Sequence, residues 1–229
     1  IEVGTVTPKP QRGNLKPRIF RNKEEKSLLN RLGFNNKGVE HLLKQLKNKK
    51  SKIIVGTSIG KNFDTPNDKA FEDYVLCLGK VYEFSDYIAV NISSPNTKDL
   101  RDLSSADFFN SLLQNIKLKQ ESLSKLYGYK PILVKISPDE SYEELKLICN
   151  SVLENKLDGI ICSNTTVDHE NKHGPGGLSG SPLKDKATSS LVSIKNLVGD
   201  QLTIIASGGV MSASDYLEKI NAGADHVQL

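Results

Sequence analysis

A repeat of pattern, without any repeat of sequence, constrains this chain most. Seven short runs rich in β-branched residues recur at 2–7, 52–56, 87–91, 131–136, 159–162, 202–206 and 226–229. Most are continuous rather than alternating, which marks strands buried on both faces of a parallel sheet. Between them, apolar residues return at helical spacing: Leu28, Leu29 and Leu32; Val39, Leu42, Leu43 and Leu46; Phe108, Leu112, Leu113 and Ile116; Leu145, Ile148 and Val152; Leu191, Ile194 and Leu197; Tyr216 and Ile220. Ser104–Asp107 and Ser141, three residues before Glu144, read as helix caps. Alternation of this kind, with no second composition regime, predicts an α/β fold with a parallel sheet. No G-x-G-x-x-G follows the first strand, which counts against an open dinucleotide-binding sheet. The expectation is a (β/α)8 TIM barrel forming a single domain over residues 1–229. Both ends of the chain are strand-like, so the barrel is expected to be incomplete, lacking its first strand and last helix.

Composition removes several classes of function. Lys and Arg number 31 against 27 Asp and Glu, a net charge of +4. Both signs are interspersed, which argues against a nucleic-acid footprint. Apolar residues reach 37%, enough for a packed core. No apolar run approaches the roughly 20 residues that span a bilayer. Cys77, Cys149 and Cys162 form no C-x-x-C pair, which excludes a zinc knuckle or disulfide framework and fits a reducing compartment.

Barrel chemistry sits at the carboxyl ends of the strands, and polar residues collect there. The first run ends in Thr5 and Thr7, the second leads to Thr57 and Ser58, and the third into Asn91, Ser93, Ser94, Asn96 and Thr97. The fourth carries Lys135, the fifth leads to Ser163, Asn164, Thr165 and Thr166, the sixth to Ser207, Gly208 and Gly209, and the seventh holds Gln228. Amide, hydroxyl and ammonium groups at one mouth predict a ligand site. The glycines at 176, 177, 180, 208 and 209 predict a backbone N–H cradle for a phosphate. A lysine in a buried strand is costly unless it meets an anion or a conjugated ring. Lys135 therefore reads as a Schiff-base lysine or as a charge set against a cofactor's electron-rich edge. The proline-rich connection 8–36 predicts a functional wall or lid, and the glycine-rich stretch 168–182 a mobile lid. His169 and His173 are spaced i, i+4 but lack a third ligand, so no metal is expected. Lys44, Lys47, Lys49, Lys50 and Lys52 read as a solvated face, and Cys162 as a core residue.

Six segments together resemble class 2 dihydroorotate dehydrogenases: 4–11 (GTVTPKPQ), 30–35 (NRLGFN), 91–97 (NISSPNT), 163–166 (SNTT), 176–180 (GGLSG) and 222–224 (AGA). The resemblance runs over essentially the whole chain in the right order. It implies a (β/α)8 barrel with FMN at the strand mouths, dihydroorotate oxidised to orotate in pyrimidine biosynthesis, and a quinone as final electron acceptor. It also implies peripheral membrane association through an N-terminal segment, on the cytoplasmic side of the inner membrane in a bacterium. Ser94 matches the catalytic base, where class 1 enzymes carry Cys. Asn30, Asn91, Asn96, Asn164 and Thr165 match substrate contacts. Thr5, Asn91, Lys135, Ser163, Gly180 and Gly209 match FMN contacts. Phe34 and Thr97 match neighbours of the base that shape proton escape, and Arg21 matches a basic residue at the quinone tunnel.

Departures and rivals accompany the match. Ser58 stands where the family more often has an Asn touching FMN. The family's first strand with its Lys, the Tyr-Ser phosphate contact after the last strand and the N-terminal helical pair have no counterpart in these residues. Rival readings are a class 1 enzyme, an aldolase-type barrel using Lys135, and a flavin-binding remnant without activity.

Overall fold

The computed structural model describes residues 1–50, 52–93 and 106–229, the first two residues of the last span by backbone only. In chain order its elements are β1 (Glu2–Val6), β2 (Ile19–Asn22), β3 (Ser27–Asn30), α1 (Val39–Lys47), β4 (Gly56–Ile59), α2 (Ala70–Val81), β5 (Tyr87–Asn91), α3 (Ala106–Tyr127), β6 (Ile132–Ile136), α4 (Tyr142–Glu154), β7 (Gly159–Cys162), β8 (Gly177–Gly180), α5 (Lys184–Val198), β9 (Thr203–Ser207), α6 (Ala213–Asn221) and β10 (His226–Gln228). Seven strands pair in the order β1-β4-β5-β6-β7-β9-β10, every pairing parallel. The sheet curls until Gln228 Nε2 on β10 donates to Glu2 Oε2 on β1 at 3.0 Å. Among the described residues this is the expected curled parallel sheet with its helices, consistent with an incomplete (β/α)8 barrel.

Alternation along each strand separates two interiors. Ile88, Val90, Ile132, Val134, Ile160, Cys162, Ile204 and Ala206 face the helices and meet Tyr74, Leu78, Leu113, Ile116, Ile148, Val152, Leu191 and Ile194 in one continuous core. Residues of opposite parity face the lumen, where Ala89, Leu133 and Ile161 pack with Tyr87 and Ile205. Cys162 is fully buried, and desolvation pushes its thiol up to about 12, as befits a core residue. Ser141 closes a capping box on α4: its Oγ accepts from Glu144 N, and Glu144 Oε2 accepts from Ser141 N. Ser104 and Ser105 of the other expected cap lie outside the described residues.

Four local expectations are corrected. The second strand is Gly56–Ile59, not 52–56: Ile53 and Ile54 are 49% and 65% exposed. Pairing with β5 begins at Gly56 opposite Tyr87, where a Cβ would lie 2.0 Å from the Tyr87 ring. Leu28 and Leu29 belong to β3 rather than to a helix. Residues 177–180 form β8 rather than a loose lid. β3 pairs with both β2 and β8 in a small antiparallel sheet of order β2-β3-β8. Finally, Phe108 and Tyr216 are exposed, and their helices bury Phe109 and Lys219 in their place. Lys219 is tolerated because its Nζ donates to Lys184 O at 3.1 Å and Thr188 Oγ1 at 2.6 Å.

Candidate active site at the mouth of the barrel

Strand direction brings the polar ends of β1, β5 and β7 to one rim, and the 8–36 connection folds back over them. Between them lies a cavity of about 320 Å³ lined by Gly4, Thr5, Asn30, Leu32, Gly33, Phe34, Asn35, Asn91, Asn164 and Thr165. Its volume sits at the lower end of the roughly 300–1,000 Å³ usual for small-ligand sites. Four of the five expected substrate residues therefore converge from β3, β5 and the segment after β7. Ser94, Asn96 and Thr97 lie outside the described residues.

A hydrogen-bonded chain presets the amides. Asn91 Nδ2 donates to Thr5 Oγ1 at 2.9 Å, and Thr5 Oγ1 pairs with Ser58 Oγ at 2.9 Å. Asn164 Nδ2 donates to Asn91 Oδ1 at 3.4 Å and to Ser93 Oγ at 3.2 Å, while Asn164 Oδ1 accepts from Thr165 N at 2.8 Å. Ser93, 2% exposed, donates its Oγ proton to Lys135 O at 2.8 Å and its N–H to Asn91 Oδ1 at 3.3 Å. Ser93 thus ties the ends of β5, β6 and β7, a role that a serine beside a serine did not advertise. Behind it, Tyr74 OH donates to Asn91 O at 2.8 Å. Burial holds that phenol far above its ordinary range, so it stays a neutral donor.

The connection over the cavity is held by polar side chains that sequence reasoning also missed. Phe34 lines the cavity with φ at 51°, a left-handed conformation that L-residues avoid. Asn36 secures it: Nδ2 donates to Phe34 O at 2.7 Å and to Thr7 Oγ1 at 2.8 Å, and Oδ1 accepts from Gly38 N at 2.8 Å. Buried Asn62 reaches the same connection, with Nδ2 2.8 Å from Gln11 Oε1 and 3.0 Å from Thr7 Oγ1. Asparagine in a Gly/Pro-rich stretch signals a turn, and that signal was present at Asn36 without pointing to a cavity.

The remaining candidates divide. Thr5 and Asn91 line the cavity. Lys135 sits beside Asn91 in register on β6, its side chain 19% exposed and Nζ 3.6 Å from Glu2 Oε1, so it does not reach out to solvent. Ser163 is buried at the end of β7, its N–H donating to Ser207 O at 3.0 Å. Gly180 and Gly209 stand away from the cavity lining. A Cβ at Gly180 would lie 2.1 Å from Lys26 O, and one at Gly209 2.3 Å from Lys184 Cα. Backbone packing thus already demands both glycines, and Gly177 and Gly180 of the expected N–H cradle lie on the paired strand β8. Arg21 is exposed on β2 and lines a separate cleft of about 620 Å³. The two histidines diverge: His169 Nε2 bonds to Gly176 O at 2.9 Å, and the His173 ring stacks on Phe20 at 4.4 Å.

Comparison with known proteins bears on this geometry. A family model described as dihydroorotate dehydrogenase matches residues 1–229. The chain is 48% identical over 236 residues to the dihydroorotate dehydrogenase (quinone) of Shewanella sediminis, covering all of this chain and 70% of that protein. It is 46% identical over 236 residues to that of Vibrio parahaemolyticus, again covering all of this chain and 70% of the relative. A crystal structure from Eimeria tenella, of DHODH in complex with ferulenol, superposes with a TM-score of 0.93 at 36% identity, covering all of this chain and 68% of that one.

Proposed function

This chain belongs to the dihydroorotate dehydrogenase family, and from that premise we propose that the cavity at the mouth binds dihydroorotate, with FMN as hydride acceptor and a quinone as final electron acceptor. The reaction is the oxidation of dihydroorotate to orotate, a step of pyrimidine biosynthesis. The observation that carries the reading is the convergence of Asn30, Asn91, Asn164 and Thr165 on one small cavity. Amides suit an anionic, uracil-like ring because each presents a donor and an acceptor. The hydrogen bonds from Thr5 to Ser93 orient Asn91 and Asn164 before the substrate arrives, so little reorganisation accompanies binding.

The donor set also fits a flavin. The Lys135 ammonium, the Thr5, Ser58 and Ser163 hydroxyls and the Asn91 amide can meet its polar edge. Ser58, where an Asn is more usual, offers one short hydroxyl already engaged by Thr5. Gly180 and Gly209 are the remaining expected contacts. FMN, when bound, would supply the acceptor for the hydride leaving C6 of the substrate and the electron donor for quinone. Lys135 then stabilises negative charge as it develops, which uses its charge rather than its nucleophilicity. Ser94 takes the C5 proton. Because a serine is a weak base at its ordinary pKa, the proton leaves through a hydroxyl or water relay that includes Thr97. Both assignments rest on the segment 91–97. The enzyme meets its quinone as a peripheral membrane protein, on the cytoplasmic face of the inner membrane in a bacterium. Among the described residues no helix is long and apolar enough to cross a membrane.

The test is anaerobic addition of dihydroorotate to the FMN-loaded enzyme, followed by quinone. Bleaching of the flavin absorbance and its return are expected. Ser94→Ala should slow the bleaching by about 10²–10⁴-fold, the usual worth of a positioned base. Flavin that stays oxidised sinks the reading.

A further inference from the structure

Inside the curl lies a polar cluster to which the reaction assigns only Lys135. Its centre is Glu2. Glu2 Oε1 stands 3.6 Å from Lys135 Nζ, with the two side chains 14% and 19% exposed. Glu2 Oε2 accepts from Tyr87 OH at 3.3 Å and from Gln228 Nε2 at 3.0 Å, and Gln228 Nε2 also reaches Tyr87 OH at 3.3 Å. The cluster joins β1, β5, β6 and β10, while β4 contributes Gly56, which leaves room for the Tyr87 ring. Burial and the neighbouring Glu2 charge push the Tyr87 phenol up to about 12, so it remains a neutral donor to the carboxylate.

We propose that Glu2 is the counter-ion that sets how much of the Lys135 charge a bound flavin feels, and thereby tunes the flavin's reduction potential. The inference rests on the flavin reading above. A largely buried ion pair adds little net stability over well-packed apolar side chains, because desolvation offsets the attraction. Stability alone therefore gives weak reason to keep a carboxylate, a phenol and an amide in the lumen of a barrel otherwise packed with Ala89, Leu133 and Ile161. A carboxylate held by two donors beside the ammonium attenuates its field in a poorly screened interior. Removing that carboxylate exposes a flavin to the full cation and favours the reduced, more negative state.

Potentiometric titration of the FMN-loaded enzyme against a redox dye tests this. Glu2→Gln should shift the two-electron equilibrium about tenfold toward reduced flavin, a rise of about 30 mV. Lys135→Gln should shift it the opposite way. The Glu2→Gln/Lys135→Gln double variant should return close to the parent, because the pair acts as a unit. If Glu2→Gln does not fold, the comparison of Lys135→Gln with the double variant reads the same carboxylate, and the double variant must lie higher. An unchanged midpoint in a flavin-loaded Glu2→Gln protein overturns the inference alone, as do shifts of the same sign in both single variants. An enzyme that holds no flavin overturns the reading of the site and this inference with it.

Discussion

The parallel sheet and the small antiparallel sheet above its mouth are built from opposite materials. In the first, Ile160, Ile161, Val134 and Ile204 are almost wholly buried between helices and lumen, and apolar area provides the stability. In the second, the buried apolar side chains are Leu29 on β3 and Leu178 on β8. The connection leading into and out of it is held by Asn36, Asn62, Gln11 and Thr7 acting on backbone groups. The difference separates rigidity from recognition. A wall made by area tolerates changes of apolar shape, whereas a cap made by directed bonds positions Asn30 and Phe34 and fails one bond at a time.

Three substitutions test that contrast, beginning with the largest effect. Ile160→Ala should cost about 2–5 kcal/mol of unfolding free energy, as burial and a residual cavity require, and orotate affinity should be little changed. Urea unfolding followed by circular dichroism, beside orotate titration, reads both quantities. Asn36→Ala should cost about 1–3 kcal/mol, since it leaves several part-buried partners, among them Phe34 O and Gly38 N, unmatched. Here the loss of orotate affinity should outweigh what global stability alone explains. A variant that loses stability but binds orotate normally would show that the cap is merely structural. Ser141→Ala, at the N-cap of α4, should cost about 1 kcal/mol. Its pH dependence has a definite sign. Hydrogen bonds from Ser141 lower the Glu144 carboxyl below its ordinary value, so their stabilisation is present above pH about 4.3 and is lost as pH falls through the lowered pKa. The gap between wild type and Ser141→Ala should therefore narrow in acid, and one that widens would contradict the capping-box reading.

The amino-acid sequence by itself determined the alternation of strand and helix, the parallel sheet and the end of that sheet that carries the chemistry. Continuous apolar runs and 3.6-residue periodicity report burial on two faces and on one, and burial dominates those elements. It also determined most of the polar residues that meet at the cavity, because Asn91, Asn164 and Thr165 directly follow or close apolar strands. Its errors came where local pattern and tertiary partner disagree. Ile53 and Ile54 look like a strand, but the strand begins at Gly56, where only a missing side chain admits the Tyr87 ring. Leu28 and Leu29 fit a helical turn, but pairing with β2 and β8 makes them a strand. Only the tertiary structure decided that Gly180 and Gly209 are held by close backbone approach, that Ser93 orients two asparagines, and that Glu2 and Lys135 share one lumen. Such roles belong to contacts between residues dozens to hundreds of positions apart. No local signal announces them, because the bonds exist only once the sheet has curled.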